Sequence, residues 1–230
     1  ISTSPVFGSS VTPPQIKIVL SLILALILYP FIPYINSSSI RLDDYIFLIT
    51  SELLIGLILG LVGRFLFAAV EFAGTVIGFQ MGLSMANVLD PQSQEQISLV
   101  GRFETVAATL IFLAMDGHLI LIQALVKSYS LLPIGNAVIS EPLVNKLTEL
   151  SASVFVIDLQ IGAPLIVALF LANTIIGLLS RSVPQIQVFV VGFPLTLFLG
   201  FLFLFIGMPF YIKAVSQMFQ MLDIQLFDSL

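Results

Sequence analysis

Few residues in this chain are available for chemistry. Its 230 residues include 8 Lys or Arg, 13 Asp or Glu, one His and no Cys. Glu52, Arg64, Glu71, Asp116, Asp158 and Arg181 all fall within or beside strongly apolar stretches. A charge at the centre of a bilayer costs about 2.5–3.5 kcal/mol on insertion scales, so such groups face protein or water. Arg64 and Glu71 are seven residues apart, two turns along one helical face. That is too far for an ideal direct pair, but both can meet the same partner or the same conduit. A proton relay needs a dense chain of such groups, and these are scattered; interhelical or intersubunit contact is the reading they favour. His118, in "MDGHL", has one neighbouring Asp, short of the three or four convergent ligands of a zinc site. There is no GxSxG, HExxH or Ser–His–Asp spacing, and without Cys no thiol nucleophile or disulfide. The residues point away from an enzyme and call for no metal or cofactor.

Three glycines recur every four residues in "GTVIGFQMG": Gly74, Gly78 and Gly82. Glycine costs a helix about 1 kcal/mol against Ala, so a ladder of them needs a reason. Lacking side chains, they let another helix approach to backbone contact, either within the chain or from another subunit. The apolar context lacks the strand–turn–helix setting of a phosphate loop.

The elements that carry these residues are helical and apolar. The chain is 58% hydrophobic and 9% charged, with a mean hydropathy of +1.13. A soluble domain carries about 25% charged residues, so the composition is that of an all-α membrane-type protein. The net charge of −5 provides no basic patch for nucleic acid. The chain opens on Ile1, at "ISTSPVF", and a further N-terminal apolar helix is expected to precede it. A first span begins at Pro13–Pro14, where Pro suits a first helical turn, and stops at Pro30 and Pro33.

From Asp44 to Leu89 there is no Pro. One helix of that length would reach roughly 70 Å, over twice the ~30 Å hydrocarbon core. Leu150 to Ser182 and Ile186 to Met221 give roughly 50 and 55 Å, with kinks expected at Pro164, Pro194 and Pro209. The short "RSVPQ" turn makes these two an antiparallel hairpin. Asp116–Gly117 is expected to end one helix so that another can start. Ser140 is a candidate N-cap, with Pro142 just after it. Helices this long and this apolar need other protein to cover them.

The stretch "DPQSQEQISLVGRFE", Asp90 to Glu104, interrupts this pattern. Asp90–Pro91 is expected to stop the long helix, because the residue before Pro disfavours helical backbone. Two readings stand at this point. The first is an ordinary solvent loop. The second is an apolar stopper built from Ile97, Leu99, Val100 and Phe103 around Gly101, since hydrophobic constrictions close pores by excluding water.

Three blocks together closely resemble the flagellar biosynthetic protein FliR family of the type III export gate. They are "EFAGTVIGFQMGLSMANVLDPQS" (71–93), "IFLAMDGHLILIQALVKSYSLLPIG" (111–135) and "RSVPQIQVFVVGFPLTLFLG" (181–200). The resemblance covers nearly the whole chain. "GFPL" at 192–195 favours the flagellar branch over its injectisome counterpart, and Asp116 departs from the family's usual Asn.

The resemblance implies a single helical export-gate domain in which 1–150 is similar to the partner subunit FliP and 151–230 to the FliQ hairpin. It implies a hetero-oligomeric conical channel with FliP-like and FliQ-like subunits, in the bacterial inner membrane at the flagellar basal body and largely on its periplasmic side. Unfolded flagellar substrates would pass through that channel, with residues 90–106 as its plug. The hairpin tip at Arg181, Pro184 and Gln185 would face an FlhB-like switch protein. Arg64, Glu71 and Asp116 would be buried charges at subunit contacts. A proton-coupled small-solute transporter is the alternative; it would use Arg64, Glu71 and Asp158 and carry an inverted repeat, which is not detectable here.

Overall fold

A computed structural model describes residues 8, 12–32, 42–83, 98–131, 134, 141–182 and 188–228. The described residues form six α-helices and one short 3-10 turn: α1, Pro14–Leu28, with the turn Tyr29–Phe31 after it; α2, Leu42–Gln80; α3, Leu99–Ala114; α4, Gly117–Leu131; α5, Glu141–Ser182; and α6, Val188–Asp228. The all-α expectation holds. Pro14 opens α1, where its missing N–H costs nothing, and Pro30 falls in the turn that closes it. At 39, 42 and 41 residues, α2, α5 and α6 are each about 60 Å long. Pro164 lies inside α5, and Pro194 and Pro209 inside α6, without ending either helix. Helix α5 starts at Glu141, so residues 141–149 join the expected Leu150–Ser182 helix as one.

Two helix ends differ from expectation. Helix α2 stops at Gln80, nine residues before Leu89, and α3 has already begun at Leu99. The expected loop over 90–106 is therefore corrected at its end: Leu99 to Val106 are helical. The third break agrees with expectation. Asp116 takes a left-handed backbone (φ 57°), a conformation that Asp tolerates, and its carbonyl accepts the N–H of Leu119 at 2.8 Å as α4 begins.

The chain forms two compact units: residues 1–66, 112–153 and 219–230, and residues 67–111 and 154–218. Each unit draws residues from both sides of residue 150. In the first unit, buried Phe112 and Phe219 meet edge to face, with ring centroids 5.0 Å apart. Gly117 lies directly on the Phe112 ring, where a side chain would collide. The second unit has a core of Ile77, Met81, Val100, Leu165 and Leu169, contributed by α2, α3 and α5, with Leu197, Phe203 and Leu204 of α6 packed against it. Helices α1, α2, α5 and α6 are long and apolar enough to cross a membrane.

Candidate functional site

Helices α2 and α3 touch at backbone distance in the second unit. A Cβ built on Gly74 would lie 2.5 Å from the Cα of Gly101, and one built on Gly101 would lie 2.8 Å from the carbonyl oxygen of Glu71. A Cβ on Gly78 would lie 2.6 Å from Oγ of Ser98. Ser98 sits just before α3. Its Oγ accepts the N–H of Gly101 at 3.2 Å, as a helix N-cap does, and donates to the carbonyl of Gly74 at 3.2 Å. The two helices run antiparallel, with Val100 level with Gly78 and Glu104 level with Gly74. The small-residue seam is therefore closed, at Gly74 and Gly78, by this chain's own α3.

Gly82 has a different role from the other two. Its φ is +82°, the left-handed region in which glycine bears no Cβ penalty. The N–H of Gly82 donates to Phe79 O at 3.0 Å, and that of Leu83 to Gly78 O at 3.1 Å. This is the 5→2 and 6→1 pair of a Schellman cap. Such a cap does not reach the last two carbonyls, and side chains from α5 and α6 do. Asn173 Nδ2 of α5 donates to Gln80 O at 2.9 Å and reaches Gln80 Oε1 at 3.4 Å. Thr196 Oγ1 of α6 shares its proton between Met81 O at 3.3 Å and Phe193 O at 3.0 Å. With Met81 N–H bonded to Ile77 O at 2.9 Å, every carbonyl from Ile77 to Met81 has a donor. One side of this end is packed: Ile77 and Met81 are buried, Gly200 of α6 is backed against Met81, and the Phe193 ring covers Gly82, while Phe79 is exposed.

Two further groups secure α3. Glu104 is buried, at 2% exposure, and the buried Tyr211 Oη of α6 donates to its carbonyl oxygen at 2.6 Å. Beyond them, Leu99, Arg102, Phe103 and Val106 of α3 face Phe201, Phe205 and Ile206 of α6 across an open apolar groove of about 1040 Å3.

The predicted site residues divide accordingly. Leu99 and Phe103 are exposed, at 65% and 53%, while Val100 is in the core and Gly101 in the seam. Of the four described residues expected in the stopper, Val100 and Gly101 are therefore packed within the chain. Arg64, Glu71 and Asp116, expected to be buried at subunit contacts, and Arg181, expected at the hairpin tip, are exposed on this chain. A charge in apolar surroundings needs a cover, and the chain does not itself supply one at these positions. Ile97, Pro184 and Gln185 lie outside the described residues. The structure adds Asn173, Thr196, Glu104 and Tyr211. A lone Asn in "FLANTII" and a lone Thr in "FPLTLF" were visible as polar interruptions of apolar helices, the kind that bond across helices. Among the described residues, no three His, Asp or Glu side chains gather as a metal site.

Long apolar helices joined by glycine contacts and capped by polar side chains define an integral membrane protein built by helix packing. Residues 1–222 match the family described as bacterial export proteins, family 1, and the chain belongs to that family. Its relatives carry the name flagellar biosynthetic protein FliR. The chain is 37% identical to that of Pectobacterium carotovorum subsp. carotovorum over 210 residues, 91% of this chain and 80% of the relative. It is 35% identical to that of Escherichia coli (strain K12) over 219 residues, covering 95% and 84%. Against that of Bacillus subtilis (strain 168) it is 34% identical over 223 residues, covering 95% and 85%.

Proposed function

We propose that this chain is a subunit of the flagellar type III protein export gate. It forms part of the pore that passes unfolded flagellar substrates across the bacterial inner membrane, and it has no catalytic role. Family membership over residues 1–222 supports the export role. The pore reading draws on the exposed apolar surface, since α1 and α6 leave most of their large side chains uncovered. In this reading FliP-like and FliQ-like subunits provide the cover and meet the exposed Arg64, Glu71 and Asp116. The tip at Arg181, Pro184 and Gln185 meets an FlhB-like switch protein.

The plug is the connection between α2 and α3, together with Leu99 and Phe103 on the first turns of α3. One observation supports it: α2 ends packed on one side against α5 and α6, with its carbonyls individually bonded. Non-helical backbone at membrane depth is tolerated only where protein buries it or where it lines a watery cavity. A chain that leaves a helix there departs from within protein. The test is to delete residues 92–97 in the complete gate, reconstitute it in liposomes and measure ion leak. The deletion is expected to leak; an assembled gate that stays as tight as the parent would refute the plug.

A further inference from the structure

The first unit carries a groove of its own, of about 450 Å3, between the end of α1 and the C-terminal part of α4. Its floor is apolar: Leu28 is buried, Ile122 and Val126 are half-buried, and Phe31 lies beside them. Its rim is polar. Gln123, Lys127 and Ser130 follow at spacings of four and three, one face of α4, and all three are exposed. Among the described residues, no Asp or Glu lines the groove. We infer that this groove holds a membrane phospholipid with an anionic head group, its phosphate on Lys127 and Gln123 and an acyl tail along the floor and α1. The inference goes beyond the export reading and needs neither the pore nor the plug.

Three observations select that occupant. The first is depth. The apolar stretch of α1 closes at Phe31, and that of the bent pair α3–α4 closes at Ser130. The groove therefore lies where two candidate spans stop, the level at which head groups sit. Tyr29, exposed in the turn after α1, is of the kind that gathers at a membrane–water interface. The second is charge. A lysine at that level keeps its stem against apolar surface and its ammonium in water, where it attracts anionic head groups. A phosphodiester only accepts hydrogen bonds. The Lys127 ammonium and the Gln123 amide can donate them, whereas Ser130 Oγ already donates to Lys127 O at 2.7 Å. The third is the surface that continues from the groove. Ile23, Leu26 and Ile27 share one face of α1 and are exposed, so the chain leaves a path for an acyl tail uncovered. A helix from another protein would cover that path equally well, but would not by itself call for a donor-bearing rim at its end. A phospholipid brings acceptor and tail in one molecule.

The test cross-links photoactivatable phosphatidylglycerol to the complete gate in detergent and identifies the labelled peptides of this chain by mass spectrometry as the lipid is titrated. Photoactivatable phosphatidylcholine is the comparison. Phosphatidylglycerol is expected to label the peptides carrying Leu28–Phe31 and 122–130, and phosphatidylcholine to label them less. Lys127→Gln, which removes the charge, should raise the half-saturating phosphatidylglycerol concentration about five-fold, and Lys127→Arg should leave it near the parent's. Should Lys127→Gln fail to assemble, labelling of the parent decides alone. Labels only elsewhere on the chain, equal labelling by the two lipids, or a Gln variant that saturates like the parent each overturn the site. Inorganic phosphate that displaces the lipid at equal concentration assigns the rim to a free anion. A groove labelled only after a partner subunit is removed is assigned to protein, and either result overturns the proposal.

Discussion

Substituting Gly74 and Gly56 by alanine separates the two things a glycine does in a helix. Both lie in α2, and alanine at either relieves the helix of a poor former, about 1 kcal/mol in favour of the variant. At Gly56 nothing lies within 4 Å of the added carbon, so that gain stands alone. At Gly74 the carbon would lie 2.5 Å from Gly101 Cα and 2.8 Å from both Gly101 N and Glu104 Oε2. Carbon atoms rest at about 3.5–4.0 Å, so α3 would have to retreat by roughly an ångström. It is held against doing so by Ser98 on Gly74 O and by Tyr211 on Glu104 O. Overpacking of this kind costs about 1–3 kcal/mol. The helix-forming term is common to both variants and cancels, so Gly74→Ala should be less stable than Gly56→Ala by that same 1–3 kcal/mol. For a chain of this size the difference corresponds to about 2–12 °C in the midpoint of thermal unfolding. The assay is thermal denaturation of the two purified variants in the same detergent, followed by loss of folded protein. Equal midpoints would show that α2 and α3 do not meet at backbone distance, and the antiparallel seam would be refuted.

Two other substitutions test separate contacts. Gly82→Ala forces a side chain into the left-handed region, at about 1–2 kcal/mol, and sets its Cβ 3.1 Å from the Phe193 ring. Gly82→Asn should lose less, because Asn tolerates that backbone, and thermal midpoints in which Ala matches Asn would contradict the cap. Glu71→Leu should leave the isolated chain's stability within about 0.5 kcal/mol, since Glu71 is exposed, yet reduce co-purification with FliP-like and FliQ-like subunits. Undiminished recovery of the complex would remove Glu71 from the subunit contacts.

Much of the fold is legible in the residues because bilayer-scale helices leave long apolar runs between punctuation marks. Pro13–Pro14 and Pro30 bound α1, and Asp116–Gly117 marks the break between α3 and α4. The end of α2 is harder to read. Gly74, Gly78 and Gly82 are evenly spaced, and spacing alone cannot show that two of them admit a neighbouring helix while the third turns the chain. Only the backbone angle separates Gly82 from the others. Pro91 therefore looks like the stop, although the helix has ended at Gln80. At α3 the signal was present but surrounded: Ser98 is a good N-cap, and six polar residues between Asp90 and Gln96 obscure it. For Arg64 and Glu71 the residues left open whether the contact is interhelical or intersubunit, and both are exposed on this chain. The cost of a bare charge says that something must cover it, but not whether the cover comes from the same chain.

The same reasoning explains why the site is built from Asn and Thr. A carbonyl inside an apolar core needs a donor, and Lys or Arg would supply one only by bringing in a charge that itself needs a partner. An amide and a hydroxyl satisfy the carbonyl and add little further demand. Asn173 uses its second reach on Gln80 Oε1, and Thr196 shares its proton with its own helix at Phe193 O. Thr196 thus keeps an acceptor on its own helix, whereas both acceptors of Asn173 belong to Gln80, the last residue of α2.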